Sequence, residues 1–236
     1  MIVHQFTAES EYTRFSERNL TTVLHAHPAL EVVIAHEGRF SLATPNARLN
    51  NLYMAVVKPN EPHAFLGSDA YCEFIFIEPG RHVFTRIAQA LHKPLTGITA
   101  LSPADGVPIS PESLLAWSKE KPANTCDDRV LYCMHIIRAH SSQSALTLAA
   151  LASKVYLSPS RLSHLFSREM GVPIQRYILW TKLKQSVDYI VHRQMSLSQA
   201  AHAAGFYDMA HFSRCFKEMM GVAPSKVYNN SLIVQA

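Results

Sequence analysis

Residues 205–228 read GFYDMAHFSRCFKEMMGVAPSKVY, and residues 157–173, LSPSRLSHLFSREMGVP, carry the same pattern earlier in the chain. Phe166 and Phe216 stand fifty positions apart, Leu162 and Ser163 fall on Phe212 and Ser213, and the Ala-rich 148–155 falls on 198–205. A repeat at fixed offset is one supersecondary unit used twice. Each copy has the punctuation of two short helices around a tight turn. Ser158 followed by Pro159 opens a helix at its N-cap and first turn, and Gly171 is placed to end it. Ser196 with Gln199 forms a capping box, Asp208 caps the next helix, and Gly221 ends it. Between the copies, Ile174, Tyr177, Ile178, Leu183, Val187, Ile190 and Val191 recur at helical spacing and predict an amphipathic connector.

Two helices joined by a three- to four-residue turn make a helix-turn-helix, whose second helix can enter the major groove of DNA. Ala149, Ala152, Ala200 and Ala203 let the paired helices cross closely, and Leu162, Leu165, Phe166, Phe212 and Phe216 hold the second helix on a core. What remains on the outer face is Ser160, Arg161, Ser163, His164 and Arg168 in the first copy, and Met209, Ala210, His211, Ser213, Arg214 and Lys217 in the second. Arg pairs bidentately with guanine, His and Ser reach several base edges, and Met packs on a thymine methyl. A helical hairpin array with a solvated basic face is the alternative.

Charge separates the halves. Residues 145–236 carry ten Lys and Arg against four Asp and Glu, a balance of +6; residues 1–144 carry twelve against fourteen, a balance of −2, and nine of the thirteen histidines. A polyanion suits the second half and another partner the first. The 236 residues suffice for two modest domains. No apolar run reaches the roughly 20 residues of a membrane helix, and residues 1–10 lack a signal peptide's pattern, so a cytoplasmic location is expected. Cys72, Cys126, Cys133 and Cys215 form no CxxC pair, which leaves packed thiols as the expectation.

Residues 205–228 closely resemble the terminal signature of the AraC/XylS family of bacterial transcription regulators, through Gly205, Phe206, His211, Phe212, Ser213, Arg214, Phe216, Lys217, Gly221, Pro224 and Tyr228. The resemblance extends back to Ala145. It implies two readers on one chain, joined by a stiff helix and entering adjacent major-groove segments. Tyr207 and Asp208 depart from the pattern, where Ser is commoner. Arg161, His164, His211 and Arg214 are the expected base-edge contacts and Lys217 the phosphate contact, with Ser160, Ser163, Met209 and Ser213 beside them.

Short β-rich runs fill residues 21–77, punctuated by Gly38, Pro45, Asn50, Pro59 and Gly67, and suggest an antiparallel barrel or sandwich. Helices are expected at 81–92, from Ser110, and at 126–140. Within the β region, His25 and His27 share a strand face, Glu31 follows on the next strand, and His63 comes after a Pro-rich turn. Three imidazoles and a carboxylate can ligate a divalent metal, Zn first, then Mn, Fe or Ni. The spacing HxHxxxE, then Gly38, resembles the cupin barrel's first motif, and His63 its second; Asn19, Glu61 and Gly67 depart from the usual turn residues. A metal-free pocket for an organic effector is the competing reading.

The expected fold is thus α+β: a cupin-like sensor barrel over 1–100, a helical dimerisation segment and linker over 101–144, and a double helix-turn-helix domain over 145–236. The dimer seam is expected on Leu131, Met134 and Ile137. The expected function is sequence-specific transcription regulation on double-stranded promoter DNA, with a metal or small-molecule effector, a second copy of the chain and RNA polymerase as partners, and no membrane. A metal-dependent cupin enzyme and an effector-independent DNA-binding protein are the alternatives.

Overall fold

The computed structural model describes residues 2–5, 12–78, 81–90, 94–101, 110, 112–113, 116, 126–140, 146–226 and 232–233. The N-terminal part contains β1 (Ile2–Gln5), β2 (Tyr12–Arg18), β3 (Leu30–Glu37), β4 (Phe40–Ala43), β5 (Arg48–Leu52), β6 (Met54–Val57), β7 (Ala64–Leu66), β8 (Tyr71–Ile77), α1 (Arg81–Ala90) and β9 (Ile98–Leu101). The C-terminal part contains α2 (Asp128–His140), α3 (Leu148–Lys154), α4 (Pro159–Met170), α5 (Ile174–Arg193), α6 (Leu197–Ala203) and α7 (Met209–Met220), then β10 (Leu232–Ile233).

Among the described residues the strands form two sheets, where the sequence suggested an antiparallel barrel or sandwich. The larger has the order β10-β1-β2-β8-β3-β6-β9 and the smaller β5-β4-β7. Isolated bridges at Thr21–Leu66 and His25–His63 tie the connection between β2 and β3 to β7 and the residue before it. Both faces of the larger sheet are covered. Alternation along β3 sends Leu30, Val32 and Ile34 to a core shared with Ile87 of α1, and Val33 and Ala35 to the inner core.

Residues 21–27, expected as a strand, are irregular except at the two bridge positions. The backbone donors explain this. Thr22 and His25 N–H groups go to Phe65 and His63 carbonyls, whereas Val23 and Ala26 N–H groups go to Gly221 and Glu218 carbonyls. One edge of the segment pairs with a strand and the other with a helix end.

The helical half follows its sequence signals closely. Ser158 and Asp208 accept from the N–H groups of Arg161 and His211, Ser196 and Gln199 close the capping box, and Gly171 and Gly221 take left-handed C-cap conformations. The first unit packs on α2 and the start of α5 in one core; the second packs on the rest of α5 and on the inner face of the sheet in another. This corrects the expected dimer seam: Met134 and Ile137 are buried within the chain, in the core of the first unit, and of the three only Leu131 is exposed. The helix expected from Ser110 lies mostly outside the described residues.

The turns of the two units correspond. Leu157 N–H donates to the Ala152 carbonyl and Phe206 N–H to that of Ala201. Just before them, Gly205 has φ 80° and Tyr156 has φ 55°. A left-handed residue other than Gly costs about 1–2 kcal/mol, and Tyr156, 97% exposed, recovers little of it by packing. Tyr156→Gly should therefore raise stability, by about 0.5–1 kcal/mol after the added chain entropy of Gly. Urea unfolding of the two proteins checks this, and a less stable variant contradicts it.

Candidate functional site

Two sets of residues carry chemistry. On α4, Ser160, Arg161 and His164 are exposed and Ser163 is half-buried; on α7, Arg214 and Lys217 are exposed, and Met209, His211 and Ser213 are half-buried. Their opposite faces are fixed by Leu162, Leu165, Phe166, Phe212 and Phe216, all in the core. The N-caps and the buried face together set the rotation of each helix, so each presents a polar, basic outer face.

The second set is buried. His25, His27 and His63 offer ligand nitrogens within 4.8 Å of one another. Glu31, 3% exposed, reaches the same place from β3, its Oε2 lying 3.1 Å from His27 Nε2 and 2.8 Å from His63 Nε2. All four positions expected from sequence converge.

The backbone fixes the imidazole tautomers. Nδ1 of His25 lies 2.9 Å from the Val23 carbonyl, Nδ1 of His27 lies 3.0 Å from that of Ala29, and Nδ1 of His63 lies 2.8 Å from that of Glu61. A carbonyl only accepts, so each Nδ1 carries the proton and each neutral ring presents Nε2 as a lone pair. Lone pairs facing a carboxylate require a cation among them, either a proton or a metal. His63 Nε2 is near Glu31 but off the line of a hydrogen bond, and is left without a partner. That geometry suits a ligand nitrogen.

Electrostatics agree. Burial, followed by the charges of His63 and His27, pushes His25 down to about 3. Burial also lowers His27. Burial disfavours charge on Glu31 and His63 as well, yet the two offset it for each other, so that Glu31 is lowered and His63 raised. Without metal, burial works against charge on His25 and His27, while Glu31 and His63 support each other's charge.

A mostly apolar cavity of about 50 Å³ adjoins His25 and Glu31; Phe15, Phe65, Phe74 and Phe76 of the sheet face Phe216 and Met220 of α7 across it. Trp180 of α5 lies 5.9 Å from the His27 ring and donates Nε1–H to Glu78, which also accepts from the buried Lys184. Sequence reasoning missed Trp180, Lys184, Glu78 and the approach of α7 to the histidines. Only the apolar spacing on α5 hinted at them. The remaining thiols are packing groups: burial raises Cys72 to about 12 and raises Cys133.

The family described as "Helix-turn-helix domain" matches residues 151–230. The arabinose operon regulatory protein of Escherichia coli strain K12 is 33% identical over 100 residues, 42% of this chain and 34% of that protein. The HTH-type transcriptional regulator YobQ of Bacillus subtilis strain 168 is 25% identical over 228 residues, 88% of this chain and 89% of that one. An apo ToxT variant from Vibrio cholerae strain SCE256 superposes with a TM-score of 0.60 at 11% identity, covering 94% of this chain and 98% of that one, a likeness of fold. The chain spans about a third of the length of the arabinose operon regulatory protein it matches. Among the described residues, no helix is long and apolar enough to cross a membrane.

The cluster makes metal-free stability depend on pH. Below the unfolded value of about 6.5, the unfolded chain protonates His25 and His27 while the folded chain keeps them neutral, so stability falls as pH drops toward 3, the folded value of His25. A proton taken up by the unfolded chain alone is worth roughly 1.4 kcal/mol per pH unit, which His25 supplies and to which His27 adds in the same direction. His63, raised, opposes this: its contribution is complete below the unfolded value and is lost as pH rises through the folded one. Urea midpoints of chelator-treated protein should therefore drop between pH 6.5 and 5, and His25→Gln should flatten the slope. A pH-independent midpoint contradicts the assignment.

Proposed function

With a helix-turn-helix domain matched at residues 151–230 as the premise, we propose that the chain is an AraC/XylS-type, sequence-specific transcription regulator that binds double-stranded promoter DNA and senses an effector in its N-terminal domain. The observation that carries this reading is the pair of capped helices α4 and α7, each locked by a buried apolar face and each presenting Arg and His outward. Arg161, His164, His211 and Arg214 take base edges, Ser160, Ser163, Met209 and Ser213 lie beside them, and Lys217 takes a phosphate. Relatives named as regulators support this role over catalysis. Action in the cytoplasm, pairing with a second copy of the chain, and contact with RNA polymerase belong to the same proposal.

The effector site of this proposal is the histidine cluster. Nε2 of His25, His27 and His63 with the carboxylate of Glu31 would hold one divalent ion, Zn first by donor type, then Mn, Fe or Ni. The donor set supports this, because each Nδ1 is already committed to a carbonyl and the carboxylate needs a cation. A bound metal would supply that positive charge. The surrounding residues fix ring orientation and exclude water. This retains the cupin-like character expected of the domain. A second reading, an apolar organic effector, is supported by the adjoining cavity and by ToxT, which has been solved with an unsaturated fatty acid bound.

Selection of binding sites from random DNA, followed by affinity measurement, tests the DNA-binding role. Arg161→Ala or Arg214→Ala should cost about 1–3 kcal/mol and relax one base position, whereas Lys217→Ala should weaken all sequences alike and reduce the salt slope by about one. No selected sequence, or variants that bind like wild type, contradicts the assignment. For the effector, protein purified without affinity metals should take up stoichiometric Zn and lose that uptake in His27→Ala. Absent uptake leaves the organic effector as the surviving reading.

A further inference from the structure

The two units end in matched ways and in different surroundings. Gly171 closes α4 at φ 73°, and a Cβ added there meets nothing within 4 Å. Gly221 closes α7 at φ 68°, and a Cβ there would lie 2.6 Å from His25 Nδ1, 2.6 Å from Thr22 Cβ and 2.8 Å from the Val23 carbonyl oxygen. The second reader therefore ends directly on the histidine-bearing segment.

Hydrogen bonds reinforce this approach. The last carbonyls of a helix have no partner within it. At the end of α7, Glu218 O and Gly221 O accept from Ala26 and Val23 N–H groups at 3.2 and 2.9 Å. Arg176 of α5 bonds Asn60 Oδ1 at 2.9 Å and also donates to the Ala26 carbonyl. Val23 thus has two roles: its N–H holds the end of α7, and its carbonyl receives Nδ1–H of His25. His27 and His63 take their orienting carbonyls from Ala29 and Glu61, within the N-terminal domain. Of the three rings, His25 is the one whose orienting carbonyl belongs to a residue bonded to the end of α7.

We propose that the C-terminal end of the second reader is a built-in part of the effector site: docking of Gly221 and Glu218 on residues 22–26 holds His25 in its metal-ligating orientation, so metal affinity and reader docking rise and fall together. The inference rests on the metal reading given above. Docking uses the end of α7 and leaves Arg214 and Lys217 exposed, so metal changes how firmly the second reader is held without covering its face. By linkage, loss of metal loosens the docked reader by the same factor that undocking weakens metal binding.

Gly171→Ala and Gly221→Ala place the same residue in the same strained C-cap, and only the second collides with His25 and Val23. Zn²⁺ affinity of the full chain, by competition with a chromophoric chelator, and quenching of Trp180 emission by Co²⁺ in a Trp117→Phe background provide two readouts. Gly221→Ala should weaken Zn²⁺ binding about ten- to hundred-fold, the range for groups that orient a metal-ligating histidine, with Gly171→Ala like wild type. Equal weakening in both variants overturns the proposal, because cap strain alone then explains it. Unchanged affinity in both, with wild type binding Zn²⁺, overturns the coupling and leaves the metal reading intact. Absent uptake by wild type overturns both. Should Gly221→Ala fail to fold, Arg176→Met, which removes only the Asn60 and Ala26 bonds, is judged by the same criteria.

Discussion

A single apolar core runs from Phe15, Phe65, Phe74 and Phe76 inside the sheets through Trp180, Leu183 and Val187 of α5 to Phe212 and Phe216 of α7. Apolar surface is stabilising only when it leaves water, at about 25 cal/mol per Å². The inner face of the sheet and the second helix-turn-helix unit therefore cover one another. Among the described residues, the core of the first unit is completed by α2. The long helix α5 belongs to both cores, with Ile174, Tyr177 and Ile178 in one and Trp180 onward in the other. The N-terminal domain and the helix-turn-helix units are thus joined by a packed route, along which the proposed coupling of sensing and reading would run.

Polar groups at this junction sharpen it. Glu78 accepts from both Trp180 and Lys184 of α5, with the Lys184 side chain 3% exposed. Breaking one partner of a buried pair strands the other charge, so such a contact specifies one arrangement more than it adds net stability. The histidine cluster is the same kind of object on a finer scale. Its Nδ1 protons are spent on carbonyls, Nε2 of His27 and His63 lie beside the Glu31 carboxylate, and one of those carbonyls, that of Val23, sits on the segment that meets α7.

The C-terminal half was legible because its signals are local. Ser158, Ser196, Asp208, Gly171 and Gly221 each declare a helix end within four residues, and the repeat confirms them internally. His25 and His27 were legible as a pair, Glu31 from the strand that follows and His63 from the Pro-rich turn before it; the strand assumed for the pair is absent, and the irregular segment 21–27 brings the two rings to the same place. One departure from the cupin resemblance has a physical reason: Asn19, standing where Gly is usual, adopts φ 57°, a conformation Asn tolerates, and its side chain accepts from Asp69 N–H. What sequence could not supply was the partner of each apolar face. Met134 and Ile137 advertise a stripe, but nothing near them in the chain says whether a second copy or α4 and α5 covers it. The irregular course of residues 21–27 was hidden for the same reason, since it follows from carbonyls about two hundred residues away.

Amide hydrogen exchange at Val23 and Ala26 tests the central claim, that the histidine-bearing segment and the end of α7 form one packed unit. These two N–H groups have Gly221 O and Glu218 O as acceptors. The account predicts that both are protected in the full chain, that they exchange together, and that Zn²⁺ slows both. Exchange at the rate of an unstructured peptide, with the neighbouring His25 amide still protected by its bond to His63, would show that the segment folds without the reader and would contradict the account.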